Sequence, residues 1–317
     1  MPKRTAIVTG GAGFIGSHVL DALLADGWAA VVLDDLSTGD ARQVPDEASL
    51  ELVDITDRAL VDRTVDAARP SAIFHLAAQA SVTRSVADPT QDALVNVLGT
   101  LNVLEAATRH GAQVIFTSTG GALYGDAAPI PTTEEFIPAP KSPYGASKWA
   151  AESYLVTWRE AHGIPNAVCR LGNVYGPRQN PHGEAGVVAI FSHRLWGGQA
   201  PTLFGFGKPT RDYVHVHDVA RALLASVGTP GTFNVATGVE TDVAELYRLM
   251  QGAAGTALDP ELAPLRPGEL ERSCLDPSRA ARELGWRAEV DLGDGLAQTY
   301  RALVARFEAD ALSPDAR

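Results

Sequence analysis

Residues 5–19 read TAIVTGGAGFIGSHV: a short apolar run, a glycine-rich turn, then the start of a segment with helical periodicity. Gly10, Gly13 and Gly16 form a G-x-x-G-x-x-G arrangement at that junction. The first glycine permits a tight turn, the second lets the backbone approach a pyrophosphate, and the third lets helix and strand pack closely. Unpaired N–H groups and the dipole at the helix N-terminus then favour negative charge. Glycines punctuate many turns, so the flanking strand, helix and acidic follow-up carry the reading. The follow-up is Asp34, 24 residues after Gly10, at the end of the next apolar run. A carboxylate there hydrogen-bonds the adenosine ribose hydroxyls and repels a 2′-phosphate. Asp35 adds to that repulsion, and the nearest arginine, Arg42, lies eight residues past Asp34. NAD rather than NADP is the expected cofactor. Asp54, closing the third apolar run, either meets the adenine edge or is a plain strand-end turn residue.

Working outward, short apolar runs at 5–10, 29–35, 49–55, 72–78, 113–119 and 166–176 read as buried strands. Helical periodicity fills 14–26, 57–68, 91–110 and 145–162 between them. Such alternation implies parallel strands with helical crossovers, a Rossmann-type doubly wound α/β sheet. Beyond Gly176 the sequence is loop-rich, with short helices at about 187–197, 216–227, 241–253, 277–284 and 292–308. Residues 1–171, with about 214–236, are assigned to the dinucleotide-binding domain. Residues 172–213 and 237–317 form a smaller α/β domain, and the tail DALSPDAR frays.

Composition excludes several classes of function. Lys and Arg total 26 against 38 Asp and Glu, a net charge of −12, which disfavours nucleic acid and anionic membrane as partners. Cys169 and Cys274 are the two cysteines, without CxxC or metal spacing, so neither a disulfide framework nor a metal site is expected. The leading MPKRTAIVTGG lacks a signal-peptide core and no apolar run approaches a membrane span, which points to the cytoplasm.

SPYGASKW, 142–149, sets Tyr144 and Lys148 one helical turn apart, where a surface helix would pair lysine with glutamate. With the glycine pattern, DDLSTG (34–39), HLAA (75–78) and YGASK (144–148), the chain resembles the extended short-chain dehydrogenase/reductase superfamily. LGNVYGPRQ (171–179), RDYVHVHDVA (211–220) and RPGE (266–269) look like its nucleotide-sugar branch, most like UDP-glucose 4-epimerases. The resemblance spans essentially the whole chain.

What it implies is specific. A phenol normally titrates near pH 10, and the Lys148 ammonium plus a positive nicotinamide ring are expected to lower that value. Tyr144 then takes the proton from a sugar hydroxyl while NAD accepts the two electrons from the same carbon. Lys148 also reaches the nicotinamide ribose. The family adds a hydroxyl near the end of the preceding strand. Counting back from Tyr124-Gly125 lands on Gly120 and from Tyr144 on Thr119, so Thr119 is assigned first and Ser118 second. Both hydroxyls have an alternative reading as strand-end backbone partners. Related 4,6-dehydratases carry Asp-Glu where this chain has Gly121 and Ala122, and related decarboxylases carry a glutamate at the latter, so reversible oxidation at C4 is the chemistry left. The resemblance further implies cofactor contacts from Phe14, Ile15, Ser37, Thr38, Gly39, Ile55, Leu76, Ala77, Ala78, Gln79, Asn96, Thr117, Gly172 and Val174.

On the substrate side it implies that Arg211 and Arg266 clamp the diphosphate, since a planar guanidinium suits two-point phosphate contact. Asn173 donates to phosphate or sugar, Glu269 holds a ribose hydroxyl, and Phe204 lies near the uracil or in the core. Ser81, Val187, Val188 and Thr202 complete the contacts. Ser273, seven residues after Arg266, borders the sugar 2-position, where a bulky tyrosine would bar N-acetyl sugars. Arg178 is a spare phosphate candidate or a solvated loop arginine. His215 and His217 alternate on a strand and read as structural.

The expected function is a UDP-sugar 4-epimerase with resident NAD, for UDP-glucose and UDP-galactose and also N-acetylhexosamine forms. The alternatives are another NAD-dependent nucleotide-sugar modifier, a uronate epimerase or 4-keto reductase, and a catalytically silent NAD-binding regulator. A homodimer is expected from apolar residues on several faces of 91–110 and 145–162, among them Leu94, Leu98, Leu101, Leu155 and Trp158.

Overall fold

Strand β1 (Thr5–Thr9) is apolar on both faces and lies next to the central strand of a seven-stranded sheet. The structure is a computed structural model describing residues 4–181, 186–266 and 269–312. Residues 182–185 of the loop-rich stretch beyond Gly176, Pro267 and Gly268 of the RPGE stretch, and the tail from 313 onward lie outside the described residues. The other strands are β2 (Ala29–Asp34), β3 (Ser49–Leu52), β4 (Ala72–His75), β5 (Gln113–Thr119), β6 (Ala167–Leu171) and β11 (Gly231–Val235). All pair in parallel, in the order β11-β6-β5-β4-β1-β2-β3. This is the Rossmann-type doubly wound sheet.

Period two along the strands divides the core between the two faces. Ala6, Val8, Val32, Phe74 and Ile115 pack with Val19, Leu20 and Leu23 of α1 (Phe14–Ala25) and Val219 and Leu223 of α8 (Val216–Ala225). Ile7, Leu33, Ile73 and Phe116 face the other way. They meet Val61 and Val65 of α2 (Arg58–Ala68), Val103 and Leu104 of α5 (Thr100–Arg109) and Leu155 of α6 (Pro143–His162). A separate core joins Phe191 and Leu195 of α7 (Val187–Trp196), Leu246 and Met250 of α9 (Val243–Ala254), and Leu296 of α11 (Leu292–Leu312). Among the described residues no helix is long and apolar enough to cross a membrane.

Two expectations are corrected. The run 166–176 is two strands: the chain leaves the main sheet at Gly172, and β7 (Asn173–Tyr175) pairs with β10 (Tyr213–His215) instead. A Cβ at Gly172 would come 2.9 Å from the Asp212 carbonyl, so that crossing requires glycine. The span 91–110 is α4 (Pro89–Ala93), a π-helical turn (Leu94–Gly99) and α5, not one helix. Such turns cluster at functional sites. Sequence periodicity also missed α3 (Val82–Ala87), whose six residues leave Val82 and Val86 exposed.

Candidate active site

The glycine turn is built from contacts that no side chain tolerates. Gly10 has φ +68°, and a Cβ there would lie 2.8 Å from the Ala77 amide nitrogen. At Gly16 a Cβ would fall 2.2 Å from the Gly10 carbonyl oxygen. Helix α1 therefore starts hard against the turn, with Gly13 as N-cap, no side-chain cap and no acidic residue in its first turn of Phe14, Ile15 and Gly16. That leaves its N-terminal dipole for an anion.

Asp34 is buried beside this turn, accepting from the Ala12 and Leu36 amides at 2.9 Å each. Burial raises its pKa while the two backbone bonds oppose that. Gly39 presses on it, since a Cβ there would meet Asp34 Oδ1 at 2.8 Å. Asp35 is exposed and accepts from Ser37 N and Oγ, and Thr38 is exposed beside them. Arg42 is forked on Asp40 at 2.8–3.1 Å, turned to a carboxylate instead of a 2′-phosphate. The same pairing holds Asp40's carboxyl below the usual range. Asp54 is exposed and accepts from Thr56 N, whereas Ile55 is buried against Gly99.

The loop after β4 is held from two sides. Thr9 Oγ1 accepts from the Leu76 and Ala77 amides, and His75, bonded to Thr9 and Thr100, is driven down to about 3 by burial. Asn96 accepts from Gln79 N and donates to Gln79 O, so its amide braces the loop of Ala78 and Gln79. Ser81 N-caps α3 through Arg84 N.

At the other end of the cleft, Ser142 caps α6 at Gly145 N (3.2 Å), with Pro143 opening the helix. Gly145 lets this end approach the 120–125 loop, because a Cβ would meet the Ala122 carbonyl at 2.4 Å. Tyr144 is thereby brought beside Thr119, whose hydroxyl opposes the rise in the phenol's pKa and itself accepts from Ala122 N. Ser118 lies on the opposite face of β5, buried, its Oγ without a hydrogen-bond partner among the described residues. Thr119 is thus the hydroxyl beside the phenol. Lys148 Nζ is buried, donates to the Thr117 carbonyl (3.0 Å) and lies 4.6 Å from the Phe116 ring centroid.

One electrostatic expectation is reversed in the protein alone. Burial pushes Tyr144 up to about 12, with Asp92 adding to the rise, and pulls Lys148 down to about 8. For Tyr144 the loss of hydration outweighs the opposing Thr119 hydroxyl, and for Lys148 it outweighs the carboxylates of Asp92 and Glu152.

At the substrate end, Arg266 Cζ lies over the Phe204 ring, 3.8 Å from its centroid, and the guanidinium faces Glu269 at 3.6 Å. Arg211, half-buried on β9 (Thr210–Arg211), donates to the Thr210 carbonyl (2.8 Å) and forms no ion pair among the described residues. Burial lowers its pKa, and Tyr213 and Glu269 counter that. Asn173 Oδ1 lies beside Gly121, within 3.6 Å of where a Cβ would stand, and Val174 follows on β7. Ser273 and Gly120 line one small cavity with Thr132 and Leu275. Val187 opens α7, but Val188 is committed to the second core, and Thr202 donates to Glu261. Arg178 pairs with Asp21 of α1, and His215 and His217 do not alternate on one strand as expected: His215 ends β10, His217 lies in the first turn of α8, and their rings meet edge to face at 4.8 Å.

Sequence reasoning missed Asp212, between Arg211 and Tyr213. It is buried and accepts from the Thr237, Gly238 and Leu275 amides, tying the substrate strands together. Its acidic place between two short strand segments, β9 and β10, was the available signal.

Residues 6–236 match the NAD dependent epimerase/dehydratase family. The chain belongs to that family. Among its epimerase/dehydratase relatives, the UDP-glucose 4-epimerase of Mycolicibacterium smegmatis is 47% identical over 92% of this chain and 96% of its own. The Thermotoga maritima UDP-glucose 4-epimerase, solved with UDP-glucose, superposes with a TM-score of 0.93 at 42% identity, over 96% of this chain and 99% of that one. The Thermus thermophilus UDP-glucose 4-epimerase in complex with NAD gives 0.89 at 45%, over 94% and 98%.

Proposed function

We propose that this chain is a UDP-sugar 4-epimerase, interconverting UDP-glucose and UDP-galactose by reversible oxidation at C4. The observation that carries the reading is the buried trio of Tyr144, its neighbour Thr119 and Lys148 one helical turn on, in a chain with Gly121 and Ala122 where related dehydratases carry acids. Such a site moves one proton at one oxygen and has no second acid or base for elimination. Related structures hold UDP-glucose and NAD, and the residues here suit both. The uncapped α1 N-terminus receives a pyrophosphate, and Asp34 receives ribose hydroxyls. When bound, NAD supplies the two-electron acceptor and a positive ring near the phenol. Tyr144 accepts the C4 hydroxyl proton and later returns it, Thr119 orients that oxygen, and Lys148 adds positive charge. Arg211 and Arg266 hold the diphosphate, and Glu269 a ribose hydroxyl. The 1–171 and 214–236 segments serve the nucleotide cofactor in this reading, and the remainder serves the sugar nucleotide.

The test is incubation without added cofactor. Purified protein should convert UDP-galactose to UDP-glucose, resolved by chromatography. Because Ser273 is far smaller than the tyrosine that would bar an N-acetyl group there, leaving space at the sugar 2-position, UDP-N-acetylgalactosamine should also turn over. Ser273→Tyr would fill that space and should abolish the second substrate selectively. Equal loss on both would remove Ser273 from the gate.

The proposal extends to a homodimer in the cytoplasm. Leu155 is in the core and offers no contact, contrary to its sequence reading. Leu94, Leu98, Trp149, Tyr154 and Val156 remain exposed by 37–51% on helices that pack together. Light scattering at micromolar protein should give twice the chain mass, and a monomer would contradict this. Free, buried Cys169 and Cys274 suit a reducing compartment.

A further inference from the structure

Asp92 is 1% exposed, and its two oxygens have different surroundings. Oδ1 accepts from Gln79 Nε2 (2.8 Å) and Asn96 Nδ2 (3.1 Å), while Oδ2 has no hydrogen-bond partner among the described residues. Asn96 Nδ2 also reaches Ser147 Oγ (3.1 Å), and Ser147 immediately precedes Lys148. Gln79 Oε1 accepts from Ser81 N. One carboxylate therefore ties the loop after β4 to α6, across α4 and the π-helical turn.

We propose that Asp92 is a positioning residue for the reaction, a buried counter-charge that keeps the proton on Lys148 while bracing the loop that faces the cofactor. The proposal rests on the epimerase reading of Tyr144 and Lys148.

Among the surrounding charges Asp92 weighs most in this task. On α6, Glu152 acts in the same direction but second, its carboxylate bound to Arg170 of β6, at 2.6 Å from Nη2 and 3.1 Å from Nε. From β4, His75 is buried and neutral, and Tyr124 from the 120–125 loop bonds Arg170. Arg84 within α3 and Asp88 just past its end are exposed to water. An ammonium buried like Lys148 loses its proton readily unless a negative charge is near. Asp92 stands first among the groups that oppose that loss, and it also raises Tyr144. The epimerase cycle returns its proton to the sugar, so a closed, charge-balanced pair suffices.

Asp92→Asn is nearly isosteric: its carbonyl oxygen can keep both bonds, with the amide nitrogen on the bare side. Removing the charge should lower the proton affinity of Tyr144 and Lys148 together. Both limbs of the kcat–pH profile should then move to lower pH, and Asp92→Glu, which keeps the charge, should leave them at wild-type positions. The phenolate absorbance of the purified holoenzyme, read against a Tyr144→Phe background, should titrate at lower pH in D92N. That readout needs no turnover, so protein that converts no UDP-sugar would sink the epimerase reading while the titration still decides Asp92. Reduced kcat with unmoved limbs and an unmoved phenolate midpoint overturns the proposal and leaves a structural brace. Should D92N not fold, the wild type decides, since its kcat must fall on the alkaline side as Lys148 deprotonates, and a flat alkaline limb overturns the proposal.

Discussion

Tyr144→Phe should fold, purify with its cofactor and lose turnover by about 10²–10⁴-fold, the usual range for removing a general base. The substitution takes away one hydroxyl. It leaves the Ser142 cap, the Gly145 approach to Ala122 and the Lys148 bond to the Thr117 carbonyl untouched. An unchanged melting temperature with collapsed kcat would separate chemistry from folding. Thr119→Ala should cost less, because α6 still places the phenol without it. Near-normal turnover in the phenylalanine variant would end the role assigned to Tyr144.

Gly16→Ala should strip the protein of its cofactor. The added Cβ would stand 2.2 Å from the Gly10 carbonyl oxygen and 2.7 Å from Gly11 Cα, both backbone. Either the turn opens or α1 retreats, and overpacking of this kind costs about 1–3 kcal/mol. Here the displacement falls on the phosphate-binding turn itself. Nucleotide released on denaturing the desalted protein should drop from near-equimolar to almost none, with a lowered melting temperature. Gly252→Ala is the control. Gly252 lies inside α9 with nothing within 4 Å of a Cβ, so it should match or slightly exceed the parent in stability.

These two positions were legible in the sequence because each belongs to a local pattern with one physical use. The sheet was legible for a similar reason: strands buried on both faces read as apolar runs, and β5 was bounded correctly at 113–119. The break at Gly172 was not, since Asn173–Tyr175 is as apolar and extended as the strand before it, and the partner strand β10 lies far away in sequence. Nor was the π-helical turn, whose extra residue per turn leaves helical periodicity almost unchanged over six residues. At the site, the choice between Ser118 and Thr119 needed the register of β5 against α6. The protonation of Tyr144 needed burial, which one helical turn of sequence does not report. Asp92 was invisible for the same reason, being an ordinary acidic residue until the fold closes over it.

The central claim is that the sugar is oxidised and re-reduced at C4 within one closed site, and a label at that carbon tests it most directly. UDP-galactose carrying deuterium at C4 should be converted, in ordinary water and with no cofactor added, to UDP-glucose that mass spectrometry finds still labelled at C4. Product that has exchanged its label for solvent hydrogen would contradict the account.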